Sequence, residues 1–271
     1  MIKTYVPESP FLQNYIECFY VFNCESPIQF RYLAFPHYNC GLSFFKGVEI
    51  QRNHFQINIV ESSDLKVQIE LLGKYINPLM IHYSGKIQEI SIVFKPLGIN
   101  RFLRKNYNSI APNFSQEYIN IDWQLFGEQL FTIENKIKIL EEFLLCEFKE
   151  ENEIRNLEAS LTLLENLDEN YSMTEIAEKL EYNLKTFQRH FTKHIGCSPI
   201  DYRRIFRFRN ALESKLNAKE LKSLTDITFE NNYFDQSHFI KEFKRLTNHN
   251  PKKFFKSVSQ LDGEKIVWEI L

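Results

Sequence analysis

Cysteine and histidine side chains are the first candidates for nucleophilic or metal chemistry in this chain of 271 residues, and their spacing supports neither. His190 and His194 lie one helical turn apart, but no cysteine or carboxylate ligand accompanies them, and we expect both rings to face solvent or a phosphate. Glycine-rich phosphate loops and the GxSxG and HExxH motifs are absent from the sequence. We therefore predict that the protein is not an enzyme and uses no metal or cofactor. The five cysteines contain no CxxC pair: Cys18, Cys24, Cys40, Cys146 and Cys197.

Charged residues are distributed unevenly along the chain, although its formal net charge is only -2. Residues 171–258 contain 17 Lys and Arg against 10 Asp and Glu, whereas the rest of the chain has 16 against 25. A basic segment joined to an acidic one predicts that the C-terminal part binds a polyanion. No apolar run approaches the roughly 20 residues of a membrane-spanning helix, so we expect a cytoplasmic protein without a membrane partner.

The N-terminal residues alternate between apolar and polar with a period of two, as at 67–71 and 90–94. This pattern is typical of half-buried strands, and we place four further strands near 15–22, 29–35, 42–50 and 55–60. Pro, Gly, Asn and Ser separate these segments. The N-terminal part is therefore predicted to be an antiparallel β barrel or sandwich of short strands.

After residue 98 the apolar period lengthens to between three and four. One helical stripe contains Ile133, Ile137, Leu140, Leu144 and Phe148. A second amphipathic helix begins at Leu157, after a highly charged stretch. A β domain with flanking helices, followed by helices alone, gives the α+β class.

An eleven-residue pattern occurs twice in the basic segment, at 183–193 and 235–245. In each copy a polar residue, Asn183 or Asp235, is placed to cap the N-terminus of a helix. Two phenylalanines four residues apart then dock each helix inward: Phe187 with Phe191, and Phe239 with Phe243. Basic and amide side chains point away from this apolar stripe.

A short apolar helix precedes each capped helix, beginning near Met173 in the first copy and near Leu224 in the second. Two helices joined by so tight a turn form a helix-turn-helix, whose second helix fits the roughly 12 Å wide major groove of DNA. The C-terminal domain is therefore predicted to be all-α, with two helix-turn-helix units joined by a helix near 200–216.

Residues 160–257 resemble the C-terminal domain of the AraC/XylS family of bacterial transcription regulators. The most specific match is 233–245, with an Asp-Gln-Ser cap, two phenylalanines and a basic pair, followed by Asn250 and Pro251. Residues 199–211 resemble the connecting helix of that family. The resemblance implies a sequence-specific regulator, an activator rather than a repressor, whose partners are double-stranded DNA and RNA polymerase.

Several positions depart from the family pattern, which usually has glycine where this chain has Glu181, Asn232 and Asn248. Asparagine tolerates left-handed backbone geometry, so the last two turns should form at modest cost, whereas Glu181 should be slightly strained. Thr228 replaces a common alanine where the two short helices pack, which we expect to loosen the second unit.

The resemblance also assigns roles on the two recognition helices, at about 184–194 and 236–246. Base-reading candidates are Lys185, Gln188, Arg189, Gln236, Ser237, Ile240 and Lys241. Phosphate-binding candidates are Lys193, Lys244, Arg245, Lys252 and Lys253. Contacts to base edges read sequence, whereas contacts to phosphate position the protein. One chain would then read two unlike half-sites in successive major grooves. For each residue taken alone, an ordinary solvated helix face is the alternative.

Residues 36–44 and 90–96 resemble a poorly characterised N-terminal domain of some AraC-type regulators. This implies a sensor-like domain with an aromatic-lined pocket for a small-molecule effector, and the alternative is that the aromatic residues only form the core. The helices between 124 and 167 either carry homodimerisation or act as a scaffold. We predict a sensor-like domain at 1–110, a helical linker or dimerisation segment at 111–156, the double helix-turn-helix domain at 157–258 and a tail at 259–271.

Two other functions stay open. One is a thiol- or metal-dependent sensor or enzyme with a DNA-binding tail, for which Cys18, Cys24 and Cys40 would form the cluster, although they lack a close pair. The other is a protein-interaction module whose helix-turn-helix units bind no DNA. Stoichiometric zinc or one hyper-reactive cysteine would favour the first function. An affinity for DNA that does not change with salt concentration would favour the second.

Overall fold

The computed structural model describes residues 2–103, 114–150, 152–216, 223–257, 259–260 and 267–270. The strands are β1 Ile2–Tyr5, β2 Ile16–Ala34, β3 Cys40–Lys46, β4 Val48–Asn53, β5 Gln56–Glu61, β6 Val67–Leu72, β7 Leu79–Phe94, β8 Ser115–Glu117, β9 Ser259–Gln260 and β10 Val267–Ile270. The helices are α1 Ile121–Leu130, α2 Lys136–Glu147, α3 Asn152–Glu165, α4 Met173–Lys179, α5 Leu184–Ile195, α6 Pro199–Leu216, α7 Leu224–Glu230, α8 Gln236–Thr247 and α9 Pro251–Ser257. This arrangement confirms the predicted α+β class.

Across the described ranges, no helix combines the length and the apolar character that crossing a lipid bilayer requires.

The strands form one sheet in the order β8-β6-β3-β7-β2-β10-β9, in which neighbours are antiparallel. Outside this order, β1 pairs with β2, β4 pairs with β5, and β5 runs parallel to β7. The segments at 15–22 and 29–35, predicted as two strands, belong to the single strand β2. Its pairing with β7 is irregular between Cys24 and Ile28, and because a bulge bends a strand without ending it, Pro27 does not terminate β2. The segment at 42–50, predicted as one strand, is divided between β3 and β4 at Gly47, whose φ is 68°.

Helices α1 and α2 pack against the sheet through large aromatic side chains. The Trp123 ring of α1 stacks on Phe44 of β3 at a centroid distance of 6.1 Å, and Phe143 of α2 contacts Trp123 at 5.0 Å. Gly127 permits this approach, because a Cβ atom there would lie 2.9 Å from the Phe44 ring. The apolar stripe at 133–148 therefore faces the sheet, with Leu144 fully buried.

The end of β2 inserts into the helical part of the molecule. Phe35 is buried and contacts Phe254 of α9 at a ring-centroid distance of 4.8 Å. The Arg209 guanidinium of α6 donates hydrogen bonds to the carbonyl oxygens of Phe35 and Pro36. Strand β10 pairs with residues 32–34 of β2, immediately before this insertion. The sheet and the helices thus share a buried interface at the end of β2.

Candidate nucleic-acid interface

Both helix-turn-helix units begin with the same capping arrangement. Ser172 accepts a hydrogen bond from the Glu175 backbone N–H, and its own N–H donates to the Glu175 carboxylate. Ser223 and Asp226 repeat this capping box at the start of α7. The hydrogen bonds from Ser172 lower the pKa of the Glu175 carboxyl. Each short helix therefore starts at a residue fixed by its own sequence.

The second helix of each unit, α5 or α8, is capped and docked in the same way. Asn183 Oδ1 accepts from the Thr186 N–H at 2.9 Å, and Asp235 Oδ1 accepts from the His238 N–H at 2.7 Å. The phenylalanines at the two docking positions of each helix are fully buried: Phe187, Phe191, Phe239 and Phe243. Because the stripe is buried, the opposite face of each helix is presented outward.

Left-handed backbone geometry occurs at each position where glycine is usual in the family. The φ angle is 59° at Glu181, 53° at Asn232 and 60° at Asn248. Asparagine adopts this region readily, and Asn232 Nδ2 also donates to the Leu167 carbonyl oxygen at 2.6 Å. Glu181 gains no comparable help from its residue type, so the predicted strain lies there.

The second turn is one residue longer than the first, which places an aromatic ring in solvent. Two residues separate Leu180 from the cap Asn183, whereas three separate Asn231 from the cap Asp235. The additional residue is Phe234, which is 88% exposed. The difference in length is already visible in the sequence, where the turns are residues 181–182 and 232–234, but the exposure of Phe234 is not.

Thr228 is 1% exposed at the contact of α7 with α8, and its hydroxyl donates to the Leu224 carbonyl oxygen at 2.7 Å. The hydroxyl is therefore satisfied within its own helix, although threonine stands where the first unit has Ala177.

Most of the base-reading candidates lie on the outward faces of α5 and α8. The exposed members are Lys185, Arg189, Gln236, Ser237 and Lys241. Gln188 and Ile240 are half-buried, and Ile240 also packs against the apolar cluster around Phe243. Each recognition helix thus exposes basic side chains, Lys185 and Arg189 on α5 and Lys241 on α8.

The phosphate-binding candidates flank these faces. Lys244, Arg245, Lys252 and Lys253 are exposed, whereas Lys193 is half-buried. The Arg245 guanidinium lies 3.5 Å from the Asp201 carboxylate of α6, so its charge is partly balanced within the protein.

The linking helix α6 contacts both recognition helices through aromatic rings. Tyr202 packs against Phe191 of α5 at 5.5 Å, and Phe208 packs against Phe243 of α8 at 5.3 Å. Polar contacts strengthen the second junction, because Arg204 donates to Glu242 of α8 at 2.8 Å. Tyr202 also donates to Glu165 of α3 at 2.5 Å, and burial raises the pKa of that carboxyl. Helix α6 therefore fixes the position of α5 relative to α8.

The histidine and cysteine residues do not assemble into a metal site in the part of the chain that the structure describes, where no group of three or more His, Cys, Asp or Glu is suitably arranged. His194 is buried, so the expectation that it faces solvent or phosphate is wrong. Its position at the end of α5 packs it beneath the helix rather than on the outward face. Cys18 and Cys40 are also buried, and Cys24 is half-buried.

Comparison with known proteins divides the chain into two matched regions. A family described as a helix-turn-helix domain matches residues 176–257, and a domain of unknown function (DUF6597) matches residues 3–114. No curated protein matches the chain.

Three solved structures are similar to this chain, with the following identity and coverage. ToxT from Vibrio cholerae in one crystal form shares 12% identity over 88% of this chain and 97% of its own, with a TM-score of 0.45. ToxT from Vibrio cholerae O395 shares 12% identity over 94% of this chain and 97% of its own, with a TM-score of 0.45. The C-terminal domain of AraT, a response regulator from Geobacillus stearothermophilus, shares 16% identity over 42% of this chain and 94% of its own, with a TM-score of 0.37.

Proposed function

We propose that this chain is a DNA-binding transcription regulator of the AraC type rather than an enzyme, and that α5 and α8 read successive major grooves of one duplex. The helix-turn-helix match over residues 176–257 supports this proposal. The observation that carries the proposal is the duplication itself. Two capped helices bury equivalent phenylalanine pairs, turn polar faces outward and are held by one linking helix, α6. The two outward faces differ in sequence, so the preferred site has two unlike halves.

The exposed side chains of α5 and α8 divide into two roles under this proposal. Base edges are read by Lys185, Gln188, Arg189, Gln236, Ser237, Ile240 and Lys241. Arg189 suits guanine, the glutamines suit adenine, and each bidentate contact discriminates by about 1–3 kcal/mol. Phosphates are bound by Lys193, Lys244, Arg245, Lys252 and Lys253. These cations add affinity that falls as salt is raised, because bound counterions are released from DNA.

The remaining parts of the proposal concern regulation. The protein acts in the cytoplasm as an activator that also contacts RNA polymerase, and residues 1–110 form a sensor-like domain for a small-molecule effector. Residues 111–156 carry a homodimer contact, 157–258 form the DNA-binding domain and 259–271 are the tail. Burial of α1 and α2 against the sheet supports a shared scaffold for the first two segments.

Selection of bound sequences from a random DNA pool, with the full-length protein, tests the DNA-binding proposal. We expect enrichment of one asymmetric motif whose halves lie about 10 base pairs apart. The double variant Arg189→Ala, Lys241→Ala is the matched control, because both side chains are exposed and their loss leaves the fold intact. Enrichment of a palindrome, no enrichment, or the same motif from the variant would overturn the proposal.

A further inference from the structure

The two helix-turn-helix units have separate apolar cores. In the first unit, Leu164 of α3, Ile176 of α4 and Phe187 of α5 belong to one buried cluster. In the second unit, Ile227 of α7 and Phe239 of α8 belong to another. Helix α6 contributes side chains to both clusters and is the covalent link between the units. The position of α8 relative to α5 therefore depends on the contacts that join these two cores.

A hydrogen bond that does not involve α6 also joins the two units. Asn232, in the turn between α7 and α8, donates from Nδ2 to the Leu167 carbonyl oxygen at 2.6 Å. The same amide donates to Oδ1 of Asp168 at 3.3 Å. Both acceptors lie in the loop between α3 and α4, and Leu167 is 65 positions earlier in the chain than Asn232. The turn of the second unit is thus attached to a loop of the first.

The residues on either side of Asn232 anchor the turn that carries it. Tyr233 is buried, and the Arg207 guanidinium of α6 lies 5.3 Å from the centroid of its ring. Asn231 is also buried, and its Nδ2 donates to the Ile227 carbonyl oxygen at 2.9 Å. Because both neighbours are fixed, an ordered turn presents the Asn232 amide to the first unit, and little conformational freedom is lost when the contact forms.

The backbone at Asn232 restricts which residue can make this contact. Its φ of 53° lies in the left-handed region, which glycine, asparagine and aspartate adopt most readily. Of these three, only asparagine has a side-chain donor at neutral pH. Asn248 has almost the same φ, 60°, but is exposed and forms no side-chain hydrogen bond within the described part of the chain. Asn232 therefore serves a contact between the units as well as a turn.

We propose that Asn232 is a positioning residue, which sets the spacing of the two DNA half-sites by holding the second helix-turn-helix unit against the first. The spacing rests on the proposed function, whereas the contact between the units does not. One additional base pair between the half-sites moves the second by about 3.4 Å along the duplex and rotates it by about 35°. Two units that are held together cannot follow this change without breaking their contact, so the protein discriminates against the altered site.

The affinity of the full-length protein for DNA of three spacings tests the proposal. The first is the site selected from random DNA, and the other two have one base pair inserted or removed between its halves. We expect the unmodified protein to bind the selected spacing at least about tenfold more tightly than either altered spacing. Asn232→Gly keeps the backbone geometry without the amide, and Asn232→Asp keeps the shape without the donor. Each should reduce that ratio at least about threefold.

Asn248→Gly is the matched control, because it makes the same substitution at nearly the same φ without removing a contact between the units. Its ratio should equal that of the unmodified protein. The ratio also separates positioning from stability, since a second unit that is merely destabilised loses affinity for all three spacings by one factor. An unchanged ratio in both Asn232 variants, or an equal reduction in Asn248→Gly, would overturn the proposal.

A measurement without DNA distinguishes failure of this proposal from failure of the proposed function. Spin labels attached through p-acetylphenylalanine at positions 185 and 241, both exposed, report the distance between α5 and α8 independently of the cysteines. We expect a broader distance distribution in both Asn232 variants but not in Asn248→Gly. Broadening in a protein that selects no two-part DNA site would reject the proposed function and leave the contact standing. Equal widths in all four proteins, together with selection of a two-part site, would reject the positioning role alone.

Discussion

At the scale of single residues, substitutions of Arg189 and Lys252 distinguish sequence-specific contacts to bases from non-specific contacts to phosphates. Both are exposed, but Arg189 lies on the outward face of α5 whereas Lys252 lies in α9, outside the recognition helices. We expect Arg189→Ala to lower affinity for the selected site by about 1–3 kcal/mol and to relax the preference at one base position. Binding isotherms on the selected site and on single-base variants measure this.

Lys252→Ala is the contrasting change. It should weaken binding to all sequences alike and reduce the slope of log affinity against log salt by about one. If both variants alter affinity uniformly, or if neither alters it, the outward face of α5 is not the base-reading surface.

Cysteine reactivity is a second property decided at single residues. Cys197 is buried and burial raises the pKa of its thiol to about 12, whereas Cys146 is exposed. Since only the thiolate reacts, at pH 8 about one Cys197 side chain in ten thousand is reactive, and the fraction rises as pH approaches 12.

Iodoacetamide should therefore modify Cys146 within minutes in the native protein and leave Cys197 unmodified until the protein is unfolded. Mass spectrometry of digested samples, with and without denaturant, gives the result. Fast native labelling of Cys197 would contradict its burial, and a single hyper-reactive cysteine elsewhere would revive the thiol-sensor alternative.

At the scale of elements, the turn between α4 and α5 contains a strained residue that can be relieved. Glu181 has a φ of 59°, a region that costs a residue with a Cβ atom about 1 kcal/mol or more. We expect Glu181→Gly to raise the free energy of unfolding by up to about 1 kcal/mol.

Asn248→Gly provides the matched control for that change. Its φ of 60° is almost the same, but asparagine tolerates this region, so the gain should be only a few tenths of a kcal/mol. Denaturant titration of both variants compares them. A loss of stability in Glu181→Gly would show that the turn is not left-handed in solution.

At the scale of the whole molecule, Phe35 connects the sheet to the helical part. It is 1% exposed and belongs to the same apolar cluster as Phe243 and Phe254. Removing a fully enclosed phenylalanine ring costs about 3–5 kcal/mol, so Phe35→Ala should lower the free energy of unfolding by that amount and uncouple the two parts. Denaturant unfolding, followed by near-ultraviolet and far-ultraviolet signals, should then show two transitions.

Phe234→Ala removes an equal amount of side chain from a position that is 88% exposed. Its effect on stability should stay within about 0.5 kcal/mol. Similar losses from both variants would mean that the interface at the end of β2 does not hold the molecule together.

The sequence alone determined features whose partners lie within one helical turn. The caps Asn183 and Asp235, the phenylalanine pairs and the left-handed turn positions depend on backbone groups three or four residues away, so residue type and spacing suffice. The same local logic predicted the α+β class from the change of apolar period. It was wrong in dividing β2 into two strands, because the pairing of β2 with β7 continues on both sides of Pro27.

Only the tertiary structure decided which distant residues meet. Arg209 and Phe35 are separated by 174 positions, and Tyr20 and Glu89 by 69, so no periodicity in the sequence links them. The burial of His194 and of the Arg209 guanidinium likewise follows from what packs around them. Burial and hydrogen bonding between distant residues are properties of the assembled core, because each depends on removing water from groups brought together by the complete fold.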